Sequence, residues 1–364
     1  MKIRLLILLT FLCSSLFAQK KSSFLDKISI PINTRMDFRH LDYKVNNEQF
    51  PNDTRFQFSY FKIDMFGQIL PGFTYRLRYS PVTSTLGTSG INNIIQLANV
   101  GYETANKRWY FEAGKSFLAV GTAEQQYFGA DVYTWSLIAY NIEVYRTGLS
   151  IQYRFGNKQN VGFQFMNGSP NDIDSVDSFE YNLYWFGAIG EIANTYFSAT
   201  TILGMGKSTI PYTLNGGFQW KIGSYTLDTD FSMMYNFRNF YPETLYYSAP
   251  IQLRRVKGKW CPIVKYIYNV VNPLNDVIID FNGEQLIVDE VHIHTIGGGI
   301  QYYPIPSKDI RVHLVSTYTF DDDLVRYVPP IEDIGNTRIG YNAAFQIIFG
   351  ARINFDVLHG LVGR

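Results

Sequence analysis

Residues 339–355 read Ile339-Gly340-Tyr341-Asn342-Ala343-Ala344-Phe345-Gln346-Ile347-Ile348-Phe349-Gly350-Ala351-Arg352-Ile353-Asn354-Phe355. Every odd position is apolar or aromatic. The even positions hold Gly340, Asn342, Gln346, Gly350, Arg352 and Asn354, with Ala344 and Ile348 between them. Successive side chains of a strand point to opposite faces, so this stretch is a long strand with one greasy face and one mostly polar face. A strand crossing a bilayer needs about 9–11 residues, whereas ordinary globular strands average about 5–6.

The same alternation recurs upstream. Ile28, Ile30, Ile32, Thr34, Met36 and Phe38 alternate with Ser29, Pro31, Asn33, Arg35, Asp37 and Arg39. Phe73, Tyr75, Leu77 and Tyr79 alternate with Thr74, Arg76, Arg78 and Ser80. Tyr145, Thr147, Leu149, Ile151, Tyr153 and Phe155 alternate with Arg146, Gly148, Ser150, Gln152 and Arg154. Residues 212–222 and 225–237 behave alike. The outward set is aromatic and β-branched, which suits strands, and the charges keep to the opposite face, where water can reach them. This is the signature of a transmembrane antiparallel β-barrel. A soluble sandwich also alternates, with shorter strands and a more heavily charged outer face.

The N-terminus points the same way. Met1-Lys2-Ile3-Arg4 precedes the apolar run 5–12 and then Cys13-Ser14-Ser15-Leu16-Phe17-Ala18. A basic start, a short apolar core and a small residue at the cut predict a cleaved signal peptide over 1–18. Lipidation at Cys13 is the alternative, opposed by the bulky Leu12. Cleavage leaves 30 of the 32 basic residues against 31 acids, without the basic excess of a nucleic-acid binder. It also leaves one cysteine, Cys261, so no intrachain disulfide can form. Tyr and Phe number 27 and 28, and only 17% of residues are charged, below the usual quarter or so. Beyond residue 18 no apolar run reaches the roughly 18 residues of a spanning helix.

The runs place strands near 27–39, 54–66, 72–80, 92–103, 108–116, 144–155, 160–167, 179–189, 195–204, 211–222, 225–237, 244–256, 259–270, 288–303, 309–320 and 337–355. That makes sixteen. Weaker alternation over 92–103 and 179–204 leaves fourteen to eighteen open. Links alternate long and short, with 205–210 and 238–243 as short members of the long set. Short periplasmic turns and long outer loops are the barrel rule, and an even count puts both termini in the periplasm. The barrel is expected over 19–355, with its aromatic end, Phe355, read by the assembly machinery, and 356–364 as a short tail. Expected partners are outer-membrane lipid, lipopolysaccharide and small solutes or inorganic anions. A homotrimer is also expected.

Sixteen strands enclose an aqueous lumen. By parity Arg35, Arg39, Arg76, Arg78, Arg146, Arg154, Lys221, Arg311 and Arg352 point inward, with Asp37, Asp228 and Asp230. Inward cations favour anions. The plainer alternative is that they solvate the lumen and pair with the inward acids. The longest link, 117–143, is rich in Tyr, Trp and Phe. It is expected to fold into the barrel and narrow it, with Glu124 and Asp131 facing Arg76, Arg78 and Arg146. The alternative is a packed outer cap.

The stretches Trp109-Tyr110-Phe111-Glu112-Ala113-Gly114-Lys115, Gly121-Thr122-Ala123-Glu124, the Tyr140-Asn141 region and Thr147-Gly148-Leu149 resemble the core of the phosphate-selective porin O and P family, in the form found in Bacteroidetes. The resemblance is sharpest over 105–155. It implies a solute-conducting pore and adds Lys115 to the lining. The family's phosphate label depends on lysines in a constriction loop, and 117–143 holds no Lys or Arg. A loop-plugged barrel with an accessory role in an envelope complex is the second reading.

Enzymatic and cofactor readings find little support. No Gly-x-Ser-x-Gly frames His292, His294, His313 or Ser316, and the His292/His294 pair lacks a third metal ligand. Asp321-Asp322-Asp323 reads as a solvated loop tip. Gly297-Gly298-Gly299, inside a strand, reads as a bend or bulge.

Overall fold

The computed structural model describes residues 28–45, 48–49, 52–81, 94–127, 129–156, 158–168, 178–204, 210–236, 243–274, 277–281, 284–288, 290–305, 309–321 and 343–358. The expected signal peptide, most of the tail, Asp322 and Asp323 lie outside the described residues. The chain forms a closed barrel of sixteen antiparallel strands. They are β1 (Pro31–Val45), β2 (Asp53–Leu70), β3 (Phe73–Tyr79), β4 (Ile95–Glu103), β5 (Trp109–Phe117), β6 (Tyr145–Phe155), β7 (Gln159–Asn167) and β8 (Ser178–Ile189). There follow β9 (Ala193–Gly204), β10 (Tyr212–Ile222), β11 (Tyr225–Tyr235), β12 (Thr244–Arg255), β13 (Trp260–Pro273), β14 (Val291–Ile305), β15 (Ile310–Asp321) and β16 (Ala343–Asp356). Each strand pairs with its neighbour in sequence, and β16 closes on β1 from Pro31↔Asp356 to Lys44↔Ala343. Closure leaves no unpaired sheet edge in hydrocarbon, the condition for crossing a bilayer with strands.

The turns at one end are tight because the backbone there enters the left-handed region. Gly223, at φ 60°, opens the two-residue turn between β10 and β11, and Gly72, at φ 81°, closes the one between β2 and β3. Glycine occupies that region without the Cβ penalty.

The alternation becomes a division of surfaces. Leu149 is 58% exposed on the outer face, while Arg146 on the same strand is 5% exposed. Phe349 and Arg352 of β16 stand at 55% and 2%. Three expectations need correction. Gly297, Gly298 and Gly299 pair in regular register with both neighbours, so they form no bulge; the irregularity of β14 lies between Tyr302 and Ile305. Tyr145, assigned to the lipid face by parity, turns its hydroxyl to Lys62 and Arg78. It lies beyond Ala98↔Lys115, where the β4–β5 ladder ends. Finally, the inward phase is not polar throughout. Met234, Tyr246, Val271, Val291 and Ile293 form a buried apolar cluster with Ile138 inside the barrel.

Candidate functional site

That cluster exists because the link 118–144 runs inside the lumen. A strand-less segment in a barrel must find partners for its own amides and carbonyls, and the inward polar side chains supply them in succession. Ala119 N donates to Gln164 on β7 at 2.8 Å, and Asn182 on β8 donates to Ala119 O at 3.1 Å. Gly121 N donates to Ser198 on β9 at 2.9 Å. The Asp230 carboxylate on β11 accepts from Ala123 N at 2.7 Å and Glu124 N at 2.9 Å. On the return path Leu137 N meets Asn269 on β13 at 3.0 Å, and Ile138 N meets Ser248 on β12 at 3.2 Å. The short helix α1 (Leu137–Asn141) then seats Ile138 in the apolar cluster.

Two glycines set the closeness of this fit. A Cβ on Gly121 would lie 2.2 Å from Ser198 N and 2.3 Å from the Phe197 carbonyl carbon, both backbone atoms. One on Gly217 of β10 would lie 2.8 Å from Ala123 N.

The tip of the segment is clamped by arginines. Ala130 O accepts from Arg35 at 3.0 Å and from Arg311 at 2.7 Å, and Asp131 pairs with both Arg311 and Arg352. Glu124 pairs with Lys265 and accepts from Ser136 Oγ at 2.6 Å. The expectation that Glu124 and Asp131 face Arg76, Arg78 and Arg146 is therefore wrong. Both carboxylates reach the opposite wall, because the segment crosses the lumen to β13, β15 and β16. Between them Tyr127 donates to Asp228 at 2.7 Å and lies under the Arg254 guanidinium at 4.1 Å. Burial and the Asp228 carboxylate hold this phenol above its ordinary pKa, so it stays a neutral donor.

The remaining site arginines sit beside carboxylates of the wall. Arg35 bonds Asp37 at 2.9 Å, and Asp37 also meets His313 at 2.8 Å. Arg78 grips Asp64 with two nitrogens, at 2.7 and 2.8 Å, while Arg76 stands 3.6 Å from the same Asp64 with its side chain 41% exposed. Arg146 pairs with Glu180 at 3.0 Å and Glu143 at 2.5 Å, Arg154 with Glu103, and Arg39 with Asp53 at 2.5 Å. Lys115 is partly buried in the β5 ladder opposite Ala98 and Thr147. Lys221 is exposed beside the Gly223 turn.

Sequence reasoning passed over Lys62, Arg254, Lys265, Tyr127 and Tyr133. Lys62 donates to the Tyr145 hydroxyl at 2.9 Å and lies 4.6 Å from the Tyr60 ring centroid, so its partners are phenols rather than carboxylates. Lys265 could have been noticed as a lone cation in phase with Ile263 and Ile267. On the side away from β7–β13, an open cavity of about 670 Å³ is lined by Asn33, Asp64, Arg76, Asn99, Tyr110 and Glu112.

The architecture is that of known outer-membrane channels. The outer membrane channel DcaP of Acinetobacter baumannii superposes with a TM-score of 0.59 at 10% identity, over 90% of this chain and 97% of that one. An anion-selective porin from Comamonas acidovorans gives 0.59 at 11%, over 90% and 99%. The trimer form of OmpT from Vibrio cholerae gives 0.55 at 12%, over 91% and 100%. No curated protein sequence matches the chain. The family model for phosphate-selective porin O and P matches residues 28–236, more than half of the 364 residues. An outer-membrane barrel with a long inward segment, matched over that span, belongs to the phosphate-selective porin O and P family.

Proposed function

We propose that this outer-membrane porin passes small hydrophilic solutes by diffusion along the β1–β6 side of the lumen, with a modest preference for anions. One observation carries the reading. The inward segment binds β7–β13, β15 and β16 and, at its tip, Arg35 of β1, while the wall from β2 to β5 lines most of the 670 Å³ cavity with the half-exposed Arg76 on it. The preference is modest because most inward arginines stand against carboxylates. Arg76 and Arg78 stand against Asp64 and Glu112 there, and Lys62, whose partners are phenols, adds one further cation, so positive charge is left in slight excess. Fixed positive charge lowers the entry barrier for anions. The inward segment itself brings no cation, so a specific phosphate site is not part of the reading. A homotrimer, the form recorded for the Vibrio cholerae protein, belongs to the same proposal.

Planar-bilayer recording tests it. The expected result is discrete conductance steps and a reversal potential displaced toward the anion side in a KCl gradient. A second reading is a barrel plugged by its own segment, favoured by the chain of hydrogen bonds from β7 to β13. Silent insertion would select it.

A further inference from the structure

The outer surface carries a feature that conduction does not use. On β3–β7 the lipid-facing side chains form two rows across the ladder. Val100, Ala113 and Leu149 make the upper row. Tyr102, Phe111 and Phe163 belong to the row nearer the periplasmic turns. The small Ala113 leaves a notch between larger neighbours, and the rows enclose an apolar groove of about 460 Å³. Its mouth faces hydrocarbon, since Val100, Leu149 and Phe111 are all exposed on the barrel exterior.

Below the groove, the turns joining β4 to β5 and β6 to β7 are basic. Lys107, Arg108 and Lys158 are exposed there. Neither these turns nor Pro71-Gly72 beside them contain Asp or Glu. Two of the three cations occupy unfavourable backbone positions, with Lys107 at φ 56° and Lys158 at φ 67°. Left-handed positions favour Gly or Asn, so lysine there is not a choice made for the turn. Trp109 packs on Tyr153 at 4.7 Å between groove and turns, the kind of aromatic contact that marks the headgroup level of a membrane.

We propose that this face holds one anionic diacyl phospholipid of the periplasmic leaflet, with an acyl chain in the groove and its phosphate at Lys107, Arg108 and Lys158. Apolar groove and basic rim lie in the order that such a lipid requires, tail toward the bilayer centre and headgroup at the turns. A zwitterionic lipid would fill the groove equally well and gain less from the rim.

The test is native mass spectrometry of the full mature chain in detergent, offered equal amounts of phosphatidylglycerol and phosphatidylcholine with identical chains. One phosphatidylglycerol per chain is expected to be retained in preference, and the preference should fade in high salt. The triple variant K107N/R108Q/K158N should lose the preference by about fivefold per cation. Asn suits the left-handed positions, so the turns keep their geometry, and heat-dependent mobility on gels verifies the barrel. A113F should reduce retention of both lipids. Equal retention of the two lipids by the parent chain, or an undiminished preference in the triple variant, overturns the proposal. So does an oxidative cross-link between two copies through V100C in a C261S background, which would place a second chain in the groove.

Discussion

The carboxylate of Asp131 lies 2.7 Å from the guanidinium of Arg352, tying the tip of the inward segment to the last strand of the barrel. Arg311 shares the same carboxylate, and both arginine side chains are 3% exposed. Removing one member of a buried pair leaves charge uncompensated, at a cost of about 3–5 kcal/mol. Asp309 still faces Arg352, so the lower end applies. In D131N the tip should detach from β15 and β16, and single-channel current and its noise should both rise. Traces indistinguishable from the parent would show that the clamp does not set the aperture.

Gly121 predicts a steric limit. Its missing Cβ is what lets the segment touch the β9 backbone. G121V should push the segment off the wall and cost about 1–3 kcal/mol, as overpacking does. Limited proteolysis should then cut within 118–143 at protease levels that leave the parent intact. Equal resistance in both proteins counts against the close approach.

Selectivity should hinge on Asp64. It is the shared counter-charge of Arg76 and Arg78. D64N should uncover both guanidinium groups and move the reversal potential further toward anions, whereas R76A should move it toward cations. The shifts should shrink at high ionic strength, where exposed charges are screened. A reversal potential indifferent to both substitutions would place the conducting path elsewhere.

The two faces of one strand should answer differently to the same charge. L149R presents arginine to hydrocarbon and should destabilise the barrel by about 2–4 kcal/mol if it lies near the midplane, whereas S150R, on the lumen face, should cost little. Denaturant unfolding from lipid vesicles measures both. Similar losses for the pair would contradict the assignment of faces.

The sixteen strands were readable one by one because lipid on one side and water on the other write a period of two into each. Predicted and observed bounds differ by few residues even over 179–204, where the pattern is weak. The observed β8 and β9 there span Ser178–Ile189 and Ala193–Gly204. The infolding of 117–143 was legible from its length and aromatic content. Its direction was not. Glu124 and Asp131 carry no mark saying which wall they meet, because an ion pair is chosen by distance in three dimensions. Tyr145 misled for a related reason: it still pairs with Phe117, but past the end of β4 its long side chain reaches Lys62 and Arg78, a contact that alternation along one strand does not record.

The sequence by itself determined the barrel, a strand count near sixteen, its antiparallel order and, Tyr145 aside, the division of its strands into a lipid face and a lumen face, because those follow from local alternation and from the solvent on each side. Only the tertiary structure decided what the inward residues do. Gln164, Ser198 and Asp230 serve the backbone of a segment up to 107 positions away in the chain. Most of the inward arginines stand neutralised against carboxylates. Hydrogen bonds and ion pairs form between atoms that closure brings together, and no periodicity along the chain encodes that.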